Sequence, residues 1–166
     1  MSEARDPFQL FRFDVEFLRT RTTQTQGAAG ANVALCSGSF SECTGLEATM
    51  EPKVIKSGGA NYGAFQRVGP VTFATVVLKR GITTSRDLWA WFSQVTVKAQ
   101  SAFRLDVRIV VKAPGTTPEP VIAFVVRLHR ALPVKLKVGD MNARSTEIGI
   151  EELHLAHEGL VIESGP

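Results

Sequence analysis

The chain is 166 residues long, 44% hydrophobic and 21% charged, with a formal net charge of +3. These values fit one globular domain with a core of its own and exclude a largely disordered chain, whose apolar content would be too low to offset the entropy of ordering. They also argue against a nucleic-acid binder, which needs a dense Lys/Arg stripe with interleaved aromatics, whereas the basic residues here sit singly between apolar ones.

The opening MSEARDPFQ has mixed charge and no apolar segment, so no secretory signal is expected. The longest aliphatic and aromatic run, Val121 to Val126, is far shorter than the roughly 20 residues of a membrane helix. The expectation is a protein made and kept in the cytoplasm, with no membrane anchor of its own and with Cys36 and Cys43 as free thiols. On one straight strand their odd spacing would point them apart, so a disulfide would need a hairpin at Ser37-Gly38-Ser39.

Phe11, Phe13, Val15 and Phe17 alternate with Arg12, Asp14 and Glu16, the period of a strand with one buried face. A polar stretch without periodicity follows and reads as a flexible loop at about 19–32. Weaker strands are expected around Val33 to Cys36 and Leu46 to Ile55, broken by Gly38, Gly45 and Pro52. Ser57 to Gly63 is a second loop, where Gly58 and Gly59 tolerate positive φ.

The stretch GPVTFATVVLKRG at 69–81, taken as one strand, is apolar on both faces over Val71 to Leu78 and turns polar only at Lys79 and Arg80. One helix follows at about residues 84–98. Thr84 with Asp87 fits a capping box, and Leu88, Trp91, Phe92 and Val95 share a face. Trp91 belongs to that face, whereas Trp89 points elsewhere and is either semi-exposed or buried against something outside the helix's own sheet.

Phe103 to Val111 alternates cleanly, APGTTPEP makes a turn, and Val121 to Leu128 returns to complete a hairpin. A separate short strand covers Val134, Leu136 and Val138, and the closing TEIGIEELHLAHEGLVIE leans to strand. Seven or eight strands and one helix make a mainly β protein, a small barrel or sandwich with a helix at one end, in a single domain over 1–166.

The sequence offers little catalytic chemistry. His154 and His157 would point apart on a strand, with no ligand set to complete a metal site. Gly58 and Gly63 have phosphate-loop spacing, but Ala64 and Phe65 stand where Lys and Ser/Thr are needed. CSGSFSE lacks the second glycine of a nucleophile elbow, and Cys43 as a nucleophile would need a histidine nearby. Neither an enzyme nor a cofactor is expected.

Several segments in order, FRFDVEF at 11–17, SFSECTGLEATME at 39–51, KSGGANYG at 56–63, VTFATVVLKRGITTSRDLWAWF at 71–92 and RALPVKLKVGDMNARSTEIGIEELHLAHEGL at 130–160, resemble the tail tube family of contractile phages and contractile injection systems. The family is similar also to the hemolysin-coregulated protein of type VI secretion. The resemblance implies two packed antiparallel sheets with one helix, and six-subunit rings that stack into a hollow inner tube inside a contractile sheath. Neighbouring strands would join around the lumen, which gives the surplus apolar surface of residues 71–78 a place to go.

By the same resemblance, an extended loop at about 47–66 reaches a neighbouring subunit or ring. The candidate contacts are Glu47, Lys53, Lys56, Asn61, Tyr62 and Phe65, joined by Trp89. Lumen-facing candidates are Arg104, Asp106 and Arg108 in one row and Lys135 and Lys137 in another, the choice depending on strand register. Implied partners are the chain itself, sheath and baseplate or hub proteins, and a translocated cargo. Assembly would take place in the cytoplasm, and the finished phage tail or injection particle would be released or attached to a membrane.

The loop at 19–32 departs from the family's short turn. It admits a baseplate-proximal initiator or adaptor ring beside a shaft subunit. The reading from another class is a monomeric β-barrel that binds a small ligand.

Overall fold

The structure is a computed structural model that describes residues 12–20, 33, 40–56, 58–59, 63–97, 103–113, 121–139, 141–144 and 146–164. In chain order its elements are β1 (Phe13–Arg19), β2 (Glu42–Thr44), β3 (Ala48–Met50), β4 (Lys53–Ile55), β5 (Phe65–Arg67), β6 (Val71–Phe73), β7 (Val76–Gly81), α1 (Asp87–Thr96), β8 (Leu105–Lys112), β9 (Ile122–Val138), β10 (Ile150–Ala156) and β11 (Gly159–Ser164). The expected loop at 19–32, the strand at Val33–Cys36 and the turn at 113–120 lie outside these residues, apart from Arg19, Thr20, Val33 and Ala113.

All pairings are antiparallel, and one strand organises them. The first half of β9 lies between β8 and β11, and β8 in turn pairs with β1. The second half of β9 pairs with β10, which leads on to β7 and β2. Two sheets thus share a strand, and among the described residues the ladder stays open instead of closing into a barrel.

Sequence reading divides residues 121–138 into two strands, but β9 runs through all 17. Continuity is possible because Arg130 bends the strand, with φ at 50°. That region is costly for a residue with a side chain, and hydrogen bonds hold it there. The Arg130 backbone N–H donates to Asp106 Oδ1 at 2.9 Å, and its Nε donates to Glu158 Oε2 at 2.7 Å. Thr20, nearly buried, donates its hydroxyl to the Arg104 carbonyl at 3.0 Å beside the same carboxylate.

Between the sheets lies one core. Phe17, Leu105, Val107, Ile109, Val126 and Leu128 come from the first sheet, Val76, Leu78, Leu153 and Leu155 from the second, and Leu88 and Trp91 from α1. Each of these large side chains stabilises the fold by about 1.5–3 kcal/mol as an upper bound. Trp91 also meets Phe17 edge-on at 5.6 Å and donates its Nε1–H to the Phe103 carbonyl at 3.2 Å, satisfying its one polar atom.

Two expectations about residues 71–98 need correction. The strand read over Val71 to Leu78 breaks at Ala74-Thr75, so β6 leaves the body while β7 turns Val76, Leu78 and Arg80 into the core. The helix begins at Asp87, three residues after Thr84, and Arg86 stands at its N-cap with no side-chain cap. Asp87 is drawn instead to Arg80. Its Oδ1 accepts from Arg80 Nη2 at 2.9 Å and from the Leu88 N–H at 3.0 Å.

Arg80 is 1% exposed and ties three elements together, since its Nε also donates to Glu151 Oε2 on β10 at 3.0 Å. Burial alone would raise the Asp87 pKa, but hydrogen bonds from Arg80 and Ser85, the Arg80 charge and the Leu88 amide hold it below its ordinary value. Asp87 therefore adds stability above its ordinary pKa, and that share is lost as pH falls through its lowered value. Arg80→Ala leaves two carboxylates uncompensated and is expected to cost about 3–5 kcal/mol in urea unfolding. A change under about 1 kcal/mol would refute the clamp.

Candidate functional site

The chain from Glu42 to Lys79 is one hairpin whose two ends do different things. β2 and β7 pair inside the second sheet, with Thr44 opposite Val77, and four residues further along each strand Ala48 opposes Phe73 with the register kept. Between them Gly45 sits at φ +83°, and a Cβ there would stand 2.1 Å from the Thr75 carbonyl oxygen. Only glycine permits that crossing. Beyond Met50 and Val71 the returning strand gains one residue, so Lys53 opposes Arg67. The bulge needs Gly69, where a Cβ would collide with the Glu51 carbonyl at 1.6 Å.

The result is an arm, β3–β6 continued by β4–β5, that projects from the body. Strand geometry gives it roughly 25 Å of reach over Ala48 to Ile55. Leu46, Met50, Val54, Ile55 and Val71 are exposed along it, with Phe65 at 64% and Val68 at 81%. At its root the Phe73 ring lies 5.2 Å from that of His157. The described parts of the expected loop at 47–66 form paired strands, and the pairing reaches further, to Phe73, taking in the front of the stretch at 69–81.

Of the candidate contacts, Glu47, Lys53, Lys56 and Phe65 lie exposed on this arm, whereas Asn61 and Tyr62 fall outside the described residues. Lys53 and Arg67 face each other across the strands with no acidic partner on the arm's outer half. Trp89 is 57% exposed on α1, away from the arm, against Phe92 at 5.9 Å. Val54 and Val68 escaped sequence reading as candidates, because isolated valines near glycine and proline carry no period, whereas Val71 belongs to the stretch at 71–78 read as surplus apolar surface.

The outer face of the first sheet is laced with ion pairs. Arg108 binds Glu16 at 3.1 Å, Arg127 binds Glu163 at 3.2 Å, and Lys112 pairs with Asp14. Arg104 pairs with Glu158 and Asp106 holds the β9 bend, so the row Arg104, Asp106, Arg108 is occupied within the chain. On the second sheet, register places Lys137, Glu152, Lys79 and Glu42 side by side on the outer face, with Lys135 beside His154 in the next row. Lys79 binds Glu42 at 3.1 Å.

No catalytic constellation emerges among the described residues. Cys43, a free thiol on β2, is pushed up to about 11 by burial, so it stays protonated at neutral pH, when the thiolate is the nucleophile. His154 lies 3.5 Å from Glu152, and the described residues hold no cluster of metal ligands. No helix among them is long and apolar enough to cross a membrane.

Two sheets sharing a bent strand, with an apolar arm exposed to water among the described residues, define the architecture. The model of the T4-like virus tail tube protein gp19 family matches residues 9–161, and the chain belongs to this family. No curated protein matches the sequence.

Among solved structures, a chain of the anti-feeding prophage (AFP) baseplate is 23% identical over 96% of this chain and 97% of its own, with a TM-score of 0.73. A chain of the sheath–tube complex of an extracellular contractile injection system, PVC, in its extended state is 17% identical over 97% and 94%, at 0.72. A chain of the AFP tube-terminating cap is 18% identical over 99% and 95%, at 0.71. These likenesses establish the tail-tube-like fold.

Two outcomes are expected. Phe65→Ser and Val68→Ser should leave unfolding free energy within about 0.5 kcal/mol of the unaltered chain, since both side chains already face water; a larger loss would mean that the arm packs on its own body. Because its folded pKa is raised, Cys43 contributes stability that is fully present below the ordinary thiol value of 9.0 and is lost as pH rises through about 11. Thiol titration of the folded protein should follow that value, and rapid labelling of Cys43 at pH 8 would contradict it.

Proposed function

We propose that this chain is a structural subunit of the inner tube of a contractile injection system or phage-tail-like particle, and not an enzyme. Six copies close into a ring, and rings stack into a hollow conduit inside a sheath. One observation carries the reading. The arm places seven large apolar side chains in water, Leu46, Met50, Val54, Ile55, Phe65, Val68 and Val71, on a two-stranded ribbon of a kind that is marginal when isolated. A neighbouring copy gives that surface a place to be buried, and membership of the tail tube family supports this.

Glu47, Lys53, Lys56, Asn61, Tyr62 and Phe65 then serve contacts between subunits or rings, with Trp89 at a separate contact on α1. The outer face of the first sheet, with Arg104, Asp106 and Arg108, lines the lumen, where in-plane ion pairs present balanced charge to a passing cargo. Lys135 and Lys137 lie on the other sheet, opposite His154 and Glu152. Sheath and baseplate proteins are the outer partners, and the assembled particle is where the subunit works. The loop at 19–32 favours a second reading, an initiator ring at the baseplate, whose rings would close but not stack upon themselves.

Negative-stain microscopy of the purified chain should show rings of six or stacked tubes. A compact monomer at high concentration, unchanged by sheath or baseplate proteins, would overturn the proposal. Deleting Ser57 to Gly63 should leave the two sheets folded by circular dichroism yet stop ring closure or stacking. Normal tubes from that deletion would remove the arm from the interface.

A further inference from the structure

Where the arm docks is a separate question, and charge on both sides bears on it. Lys53 and Arg67 are direct cross-strand partners on the arm's outer half, and Lys56 follows Ile55. Like charges directly opposite one another destabilise a ribbon. Apolar Ile55 and Phe65, two residues on, form the next pair of that same face toward the tip. A seat for this end must therefore be apolar in the middle and supply carboxylates at its rim.

Two grooves on the body flank Ile82 and Met141. One, of about 620 Å³, runs beside α1 with Arg80, Arg86 and Trp89, and only Glu151 opposes the two guanidinium groups in its lining. Arg80 is compensated by Asp87 and Glu151, so it is Arg86 that a cationic tip would face there. The other, of about 900 Å³, lies between the outer face of the second sheet and residues 139, 141–143 and 147–150. Glu42, Glu147 and Glu152 line it against Lys79 and Lys137, so its charge balance is negative. Its apolar lining includes Ile148, which is 80% exposed, and Ile150.

Resting on the tube-subunit reading above, we propose that the arm tip of one copy seats in this second groove of another copy. Ile55 and Phe65 cover Ile148 and Ile150, while Lys53, Lys56 and Arg67 meet Glu147 and Glu152. The contact is heterologous, with tip and groove on different parts of the chain, so each copy can receive one neighbour's arm and offer its own to the next. The apolar pairing supplies burial, and the carboxylates select this groove over the one beside α1.

The test is a charge swap read as the concentration at which rings or tubes form, by light scattering and negative stain. Lys53→Glu with Arg67→Glu should raise that concentration at least tenfold while circular dichroism stays unchanged. Adding Glu147→Lys and Glu152→Lys to the same chain should restore assembly to within about threefold, because the rim charges are then exchanged and the attraction survives. Should the quadruple variant fold poorly, an independent check is Lys56→Cys with Glu147→Cys, which should form a disulfide between copies in assembled material only.

Several outcomes overturn the seat. If the double reversal assembles at the unaltered concentration while Phe65→Ser does not, the arm docks elsewhere and the tube-subunit reading stands. If the reversal spares self-assembly but abolishes binding to purified sheath or baseplate protein, the arm's partner is that protein and not a second copy. If the unaltered chain never self-associates, the seat and the tube-subunit reading fall together.

Discussion

Everything in the body depends on β9 serving two sheets at once. A strand of 17 residues that stayed straight could not keep both halves against one core, because sheet twist would carry its far end away from the other layer. The bend at Arg130 solves this at the cost of an unfavourable φ. The cost is met locally by Asp106, which receives the Arg130 amide, and by Glu158, which receives its guanidinium. Two of the carboxylates nearest the bend are thereby committed to backbone geometry. This is why Arg104 and Asp106, which resemble a solvent-facing row in sequence, are bound within the chain.

Once β9 is bent, β7 inherits a second problem, for it must lie in the core sheet at one end and lead into a projecting arm at the other. Its inward row, Val76, Leu78 and Arg80, alternates apolar, apolar, charged. Burying Arg80 would be prohibitive without partners, so Asp87 and Glu151 converge on it from α1 and β10. The clamp fixes where the helix starts, which explains why α1 opens on Asp87 and leaves Thr84 unused as a cap. At the other end, Gly45 beneath the Thr75 carbonyl lets both strands leave the sheet together. The arm then keeps its register although no body residue guides it.

Period-2 alternation made β1 and β8 legible in sequence, because each has one face on the core and one in water. The helix stripe was legible too, and Leu88 and Trp91 are buried as the spacing implies while Trp89 is exposed. What escaped has physical reasons. Residues 71–78 read as one strand with two apolar faces because sequence does not mark a change of environment, and Val71 faces water while Val76 faces the core. The continuity of β9 was hidden because the HRALP segment lacks alternation, its geometry being set by a carboxylate 24 positions away. A buried arginine cannot be told from a surface one until its partners are known. Strand in the arm was legible at Leu46 to Ile55 and from Val71 on, but its reach beyond the body was legible only through the family resemblance.

The arm's energetics also bear on how such a subunit behaves before and after association. A ribbon of short paired segments holds few contacts of its own, and keeping each residue in one backbone conformation costs roughly 1–2 kcal/mol. Its exposed valines, Ile55 and Phe65 return that free energy only when something covers them, at roughly 25 cal/mol for each Å² removed from water. A single arm contact is therefore weak, because much of the apolar gain is spent on ordering and on the loss of free tumbling. In a closed ring each further contact forms within an already tethered assembly, so its entropy of association is smaller and the weak contacts reinforce one another. In the proposed ring, a subunit with a core of its own would gain burial of its exposed arm only on association.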